Sequence, residues 1–119
     1  MTIRRLRSYL LLAGLALLLL AGCGGKKLAA SQAVATSKVD LPPSYRFSPA
    51  VINVGVGTTV TWTNHDHFTH SVRFSSGSGA GTHVLKPGGS YAVAFRSKGL
   101  FKYDCSFHPH DMRGEVIVQ

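Results

Sequence analysis

Residues 58–63 read Thr58-Thr59-Val60-Thr61-Trp62-Thr63, and this order decides the fold class. Side chains alternate across an extended chain, so Val60 and Trp62 share one face and Thr59, Thr61 and Thr63 the other. Tyr91, Val93 and Phe95 repeat the alternation, with alanines opposite them. On either side, the same β-branched and aromatic texture gives candidate strands at Tyr45–Ser48, Ala50–Val54, Thr58–Thr63, Ser71–Phe74, Ser90–Phe95, Gly99–Cys105 and Glu115–Val118. Val54-Gly55-Val56-Gly57 and Lys86-Pro87-Gly88-Gly89 read as turns, and the Gly/Ser run Ser75–Thr82 as a long mobile loop. No helical period follows Ser44. These features predict an all-β domain, a Greek-key antiparallel β-sandwich of about 7–8 strands.

Upstream, Arg4, Arg5 and Arg7 precede an almost unbroken Leu/Ala run from Tyr9 to Ala21. A bilayer span needs about 20 apolar residues and a signal core only about 7–15. The run is therefore read as an export signal. It ends Leu20-Ala21-Gly22-Cys23, which resembles the bacterial lipoprotein box. That resemblance implies cleavage before Cys23 and acylation of its thiol. Residues 24–44, rich in Ala, Ser, Gly and Lys and closing on Pro42-Pro43, read as a flexible stalk. A helix over Leu28–Thr36 is the competing reading. The expected organisation is a signal over 1–22, a lipidated Cys23 and stalk over 23–44, and a domain over 45–119.

The charge follows this division. The 119 residues carry 13 Lys+Arg and 5 Asp+Glu, a formal +8. Three arginines lie in the signal and Lys26, Lys27 and Lys38 in the stalk, leaving +2 on residues 40–119. The basic excess thus belongs to export and tether, and a nucleic-acid role is excluded.

A domain this small gains from a cross-link, yet with Cys23 committed to lipid Cys105 has no disulfide partner. Either that thiol is buried and inert or it binds something. The segment Tyr103-Asp104-Cys105-Ser106-Phe107-His108-Pro109-His110-Asp111-Met112-Arg113-Gly114 offers a thiol, two imidazoles and a thioether close together. Two His and one Cys with a distant Met suit copper. The segment supplies three ligands, and His70, at the head of a strand, is the candidate for the fourth.

Residues 45–119 resemble a cupredoxin of the plastocyanin/amicyanin type. Phe47-Ser48-Pro49, Val60-Thr61-Trp62-Thr63-Asn64, Thr69-His70-Ser71-Val72, Leu85-Lys86-Pro87-Gly88-Gly89-Ser90 and the C-terminal Cys–His–Met segment fall in that family's order. The resemblance implies one type 1 copper held by His70, Cys105, His108 and axial Met112. Asn64, Ser71, Ser106, Phe107 and Tyr103 are expected around it as supporting or electron-route residues. Two departures stand out. Three residues separate His108 from Met112, where plastocyanins have four and amicyanins two. Ser71 occupies the place of an Asn that ties the ligand loops together in familiar members. His110 is a rival to His108. His65, His67 and His83 are read as exposed loop residues, with a second surface metal site as the alternative. Phe107 is read either as part of an exposed patch or as core.

Family members carry single electrons and catalyse no bond chemistry. The expectation is therefore a non-enzymatic electron carrier, monomeric in its head, tethered to the outer face of a membrane through Cys23. It would cycle Cu(II)/Cu(I) between extracytoplasmic redox partners. The alternative is a module for copper buffering or delivery.

Overall fold

Trp62 stands at the centre of the packing. In the computed structural model, which describes residues 32–119, its ring lies 5.3 Å from Tyr103, 5.7 Å from Phe74 and 6.4 Å from Phe95 between centroids. Edge-on and tilted contacts of this kind suit aromatic quadrupoles. Nine strands build the two sheets around it: β1 (Val34–Ala35), β2 (Lys38–Leu41), β3 (Val51–Val54), β4 (Thr58–Asn64), β5 (His70–Phe74), β6 (Gly81–Leu85), β7 (Ser90–Phe95), β8 (Gly99–Asp104) and β9 (Arg113–Val118). One sheet runs β1-β3-β9-β8-β5-β6 and the other β2-β4-β7. Among the described residues there is no helix, and the architecture is the all-β sandwich that the alternating runs predict.

Burial follows the two-residue period. Val60 and Trp62 of β4, Ile52 and Val54 of β3, and Val116 and Val118 of β9 are all buried between the sheets. β4 and β7 pair antiparallel with Trp62 opposite Tyr91. β8 and β9 form an antiparallel hairpin with Tyr103 opposite Gly114. Glycine is required there, because a Cβ at 114 would run into the Tyr103 ring. The turns at 55–57 and 86–89 each carry the chain from one sheet to the other.

Several expectations need correction. The stalk reading fails over residues 34–41: β1 pairs parallel with β3, and β2 pairs parallel with β4, placing Val39 opposite Trp62. Val39 and Leu41 are fully buried. The sandwich is thus mixed rather than wholly antiparallel, and the helical alternative does not hold for Val34–Ala35. Tyr45–Ser48 is not a strand. Ser48 alone bridges Asp40, through reciprocal backbone bonds of 2.8 Å. The long loop Ser75–Thr82 is shorter than expected, since β6 begins at Gly81 and pairs with β5. The signal and the lipidation residue Cys23 lie outside the described residues.

Candidate metal centre

The centre is assembled where β5 begins and β8 ends. Arg73 of β5 pairs with Asp104 of β8, antiparallel. Continuing that register sets Ser71 opposite Ser106 and brings His70 and Cys105 to the same end of the sandwich. A two-pronged ion pair fixes the register: Arg73 Nε and Nη2 each donate to the Asp104 carboxylate at 2.8 Å. That carboxylate raises the affinity of the guanidinium for its proton.

Asn64 builds the loop that delivers His70. It ends β4 on the inward side, below Trp62, and is fully buried. Its amide donates to the carbonyls of Phe68, at 2.8 Å, and Leu85, at 2.9 Å. Its Oδ1 accepts the N–H of Asp66 at 2.9 Å. A buried polar side chain with its bonds satisfied specifies one loop conformation. Asp66 is then turned inward, where Oδ1 accepts the His67 N–H at 2.7 Å and Oδ2 lies 2.8 Å from His70 Nε2. The hydrogen bond from His70 is the main cause holding the Asp66 carboxyl below the usual carboxylate range, against the opposing effect of burial.

With Nε2 engaged, His70 presents Nδ1 to the Cys105 sulfur at 4.0 Å. One ion with donor distances of about 2.0–2.3 Å, as zinc has, can bridge such a gap. Both residues are fully buried, as is Met112. The loop between Cys105 and Met112 is closed by its own backbone: Cys105 N–H donates to the Met112 carbonyl at 3.0 Å, and His108 N–H to the Cys105 carbonyl at 3.1 Å. The His108 carbonyl accepts the Met112 N–H at 2.9 Å. His108 is half-buried, its ring centroid 5.8 Å from that of His70.

Ser71 ties the head of β5 to the segment around Cys105. Its N–H points to Cys105 Sγ at 3.4 Å, while its Oγ accepts the Ser106 N–H at 2.7 Å and lies 2.8 Å from Ser106 Oγ. A hydroxyl can serve in both directions at once, so the serine does make the brace.

The other histidines go elsewhere. His110 is exposed, with Nδ1 3.4 Å from an Arg113 nitrogen, and His65 pairs with Asp40 at 3.2 Å. His83 is a strand residue, not a loop one. It stacks on Tyr91 with centroids 3.8 Å apart and its Nε2 lies 3.2 Å from the Gly79 carbonyl. Among the described residues no three His, Cys, Asp or Glu side chains close to metal-binding distance. His70 and Cys105 do meet as a pair, and the His108 ring lies beside that of His70. Their chemistry fits copper: a buried thiol, imidazoles and a buried thioether are the soft and borderline donors this ion takes. Phe107 is 54% exposed and so is not core, while Tyr103 is buried against Phe47, 4.8 Å between centroids. Burial pushes the Tyr103 phenol well above its usual range.

Two neighbours of the site escaped the sequence reading. Asp66 carries a signal, four residues before His70 in a turn. Tyr45, whose ring lies 4.5 Å from His108 between centroids, carries none.

Comparison with known proteins identifies the family. The family model for copper binding proteins of the plastocyanin/azurin family matches residues 35–119. Amicyanin-alpha of Methylorubrum extorquens is 35% identical over 78 residues, covering 62% of this chain and 65% of its own. Plastocyanin of Scenedesmus fuscus is 34% identical over 86 residues, covering 61% of this chain and 86% of its own. This chain spans 65% and 59% of the lengths of the two amicyanins it matches. Among solved structures, a purple cupredoxin from Nitrosopumilus maritimus superposes with a TM-score of 0.62 at 29% identity, covering 71% of this chain and all of that one. The reduced Cu(I) form of an amicyanin mutant gives 0.63 at 33%, covering 76% and 89%. The chain belongs to the plastocyanin/azurin family of copper-binding proteins, as a cupredoxin of the plastocyanin/amicyanin type.

Proposed function

We propose that this protein is a single-copper electron carrier, in which His70, Cys105, His108 and Met112 would hold the copper. One observation supports this reading above the rest: His70 turns Nδ1 toward the Cys105 sulfur while Nε2 is held by buried Asp66. Copper, when bound, supplies a one-electron couple between Cu(II) and Cu(I). The protein's part is to hold the donors still. Cys105 and Met112 are locked to each other through the backbone, and Ser71 joins their loop to β5. Rigid second contacts of this sort orient ligands and keep reorganisation small. Burial of Cys105, His70 and Met112 excludes water from the ion.

The apolar run ending at Cys23 supports export and lipid anchoring, which would tether the head outside the cytoplasm for redox partners there. Globomycin sensitivity and mass spectrometry of the mature chain test the anchor. A copper-loaded head cycled electrochemically tests the carrier: a reversible one-electron wave supports it, and irreversible loss of copper on reduction supports delivery instead.

A further inference from the structure

Tyr45 lies over the imidazole that faces solvent. Its ring centroid is 4.5 Å from that of His108 at 60° and 5.9 Å from that of His70 at 88°. On its other side it stacks on Phe68, 6.2 Å away at 19°. Tyr45 is 43% exposed and Phe68 58%, so the outer part of this aromatic group meets water while its inner edge touches the ligands.

The backbone holds the ring there. Leu41 and Phe47, on either side of residues 42–46, are both buried in the core. Ser48 is pinned to Asp40 by two backbone bonds, and Pro42-Pro43 stiffens the remainder. Ser44 and Tyr45 have φ of 91° and 51°. Two consecutive residues with side chains in the left-handed region are unfavourable, and persist only where the surroundings over-determine them. The loop is thus wound in a disfavoured shape that sets a tyrosine on His108.

We propose that Tyr45 is the electron port of this protein, the group through which His108 exchanges electrons with the outside. The inference rests on the carrier reading above. One electron leaves the reduced centre of one copy, crosses His108 and the Tyr45 ring, and arrives at the oxidised centre of another. Cu(I) in the first becomes Cu(II), and Cu(II) in the second becomes Cu(I). Tyr45 bridges as a neutral phenol throughout, so no proton moves and no bond changes. Electronic coupling falls steeply across empty space and less steeply through a π-system in contact. A ring against the ligand therefore carries the electron better than the gap its removal would leave.

The test compares wild type, Tyr45→Ala and Tyr45→Phe in the full chain. In the metal-free proteins, diethylpyrocarbonate modification mapped by mass spectrometry should rise at His108 in Tyr45→Ala only, which shows that the ring covers it. In the copper-loaded proteins, the electron self-exchange rate, read from NMR line broadening in mixtures of Cu(I) and Cu(II) forms, should fall several-fold in Tyr45→Ala and recover in Tyr45→Phe. The visible spectrum should stay the same in all three. Self-exchange in Tyr45→Ala as fast as wild type, or faster, would show that Tyr45 only shields His108 and would overturn the proposal. A wild-type chain without a thiolate-to-copper band would instead remove the carrier reading, and the port with it.

Discussion

Asp66 and His70 form a buried carboxylate–imidazole pair, Oδ2 to Nε2 at 2.8 Å, beside the sulfur of Cys105. A negative charge on the far side of a ligand imidazole stabilises the more positive state of the ion. Asp66→Asn should therefore raise the reduction potential. It should also lower the melting temperature of the metal-free protein. Both Asp66 oxygens accept bonds, and an amide that keeps the His67 bond must set its NH2 against His70 Nε2, which forces the imidazole to change tautomer and loses the charge-assisted bond. Spectroelectrochemical titration and thermal denaturation check the two effects. A potential that stays unchanged or falls would count against the charge argument.

Ser71→Ala removes the acceptor of the Ser106 N–H and the partner of the Ser106 hydroxyl. A fully buried orphaned donor costs about 1–3 kcal/mol; the Ser106 groups are part-buried, so a loss near the lower end of that range should appear in urea denaturation of the metal-free protein. Copper colour should persist, because Ser71 is not a ligand. Loss of colour at full folding would give the hydroxyl a larger role.

Alkaline pH should destabilise the protein through its buried phenols. Burial raises the ionisation of both Tyr103 and Tyr91 above the usual value, which is about 10 for a phenol in the unfolded chain. The unfolded chain loses these protons first. Above pH ~10 it therefore binds fewer protons than the native state, and stability falls as pH rises. Below that pH the contribution is fully present. Tyr103→Phe should flatten the decline, measured as melting temperature against pH. An equally steep decline in the variant would contradict the assignment.

The N-terminal boundary can be tested by truncation. A chain beginning at residue 32 should fold, while one beginning at Tyr45 lacks β2 and should not. Leu41→Ala alone should cost about 2–5 kcal/mol, as for other buried leucines. Circular dichroism and urea denaturation measure both. A folded, stable chain from Tyr45 onward would restore the reading of residues 34–41 as stalk.

The parts of the fold legible in the sequence are those with several residues in phase. Val60 and Trp62 declare β4 because they alternate with Thr59, Thr61 and Thr63. Cys105, His108 and Met112 are legible because three soft donors in one short loop are rare for any other purpose. β2 is hidden for the opposite reason: it buries only Val39 and Leu41, between Lys38 and Asp40, after a run of Ala and Ser. Its partner is β4, twenty-three residues away in register, so nothing local marks it. Asp66 stands in a turn among histidines, and only the bond from its N–H to Asn64 Oδ1 accounts for its turning inward. Tyr45 reads as the start of a strand, since no residue pattern announces a left-handed pair at Ser44 and Tyr45.

The carrier reading turns on whether Cys105 holds copper in company with His70, His108 and Met112. Anaerobic titration of the metal-free chain with Cu(II), followed in the visible range, decides it. An intense thiolate-to-copper band should grow in and saturate at one copper per chain, and Cys105→Ser should show no such band. A chain that stays colourless, or a Cys105→Ser variant that keeps the band, would show that the copper assignment is wrong.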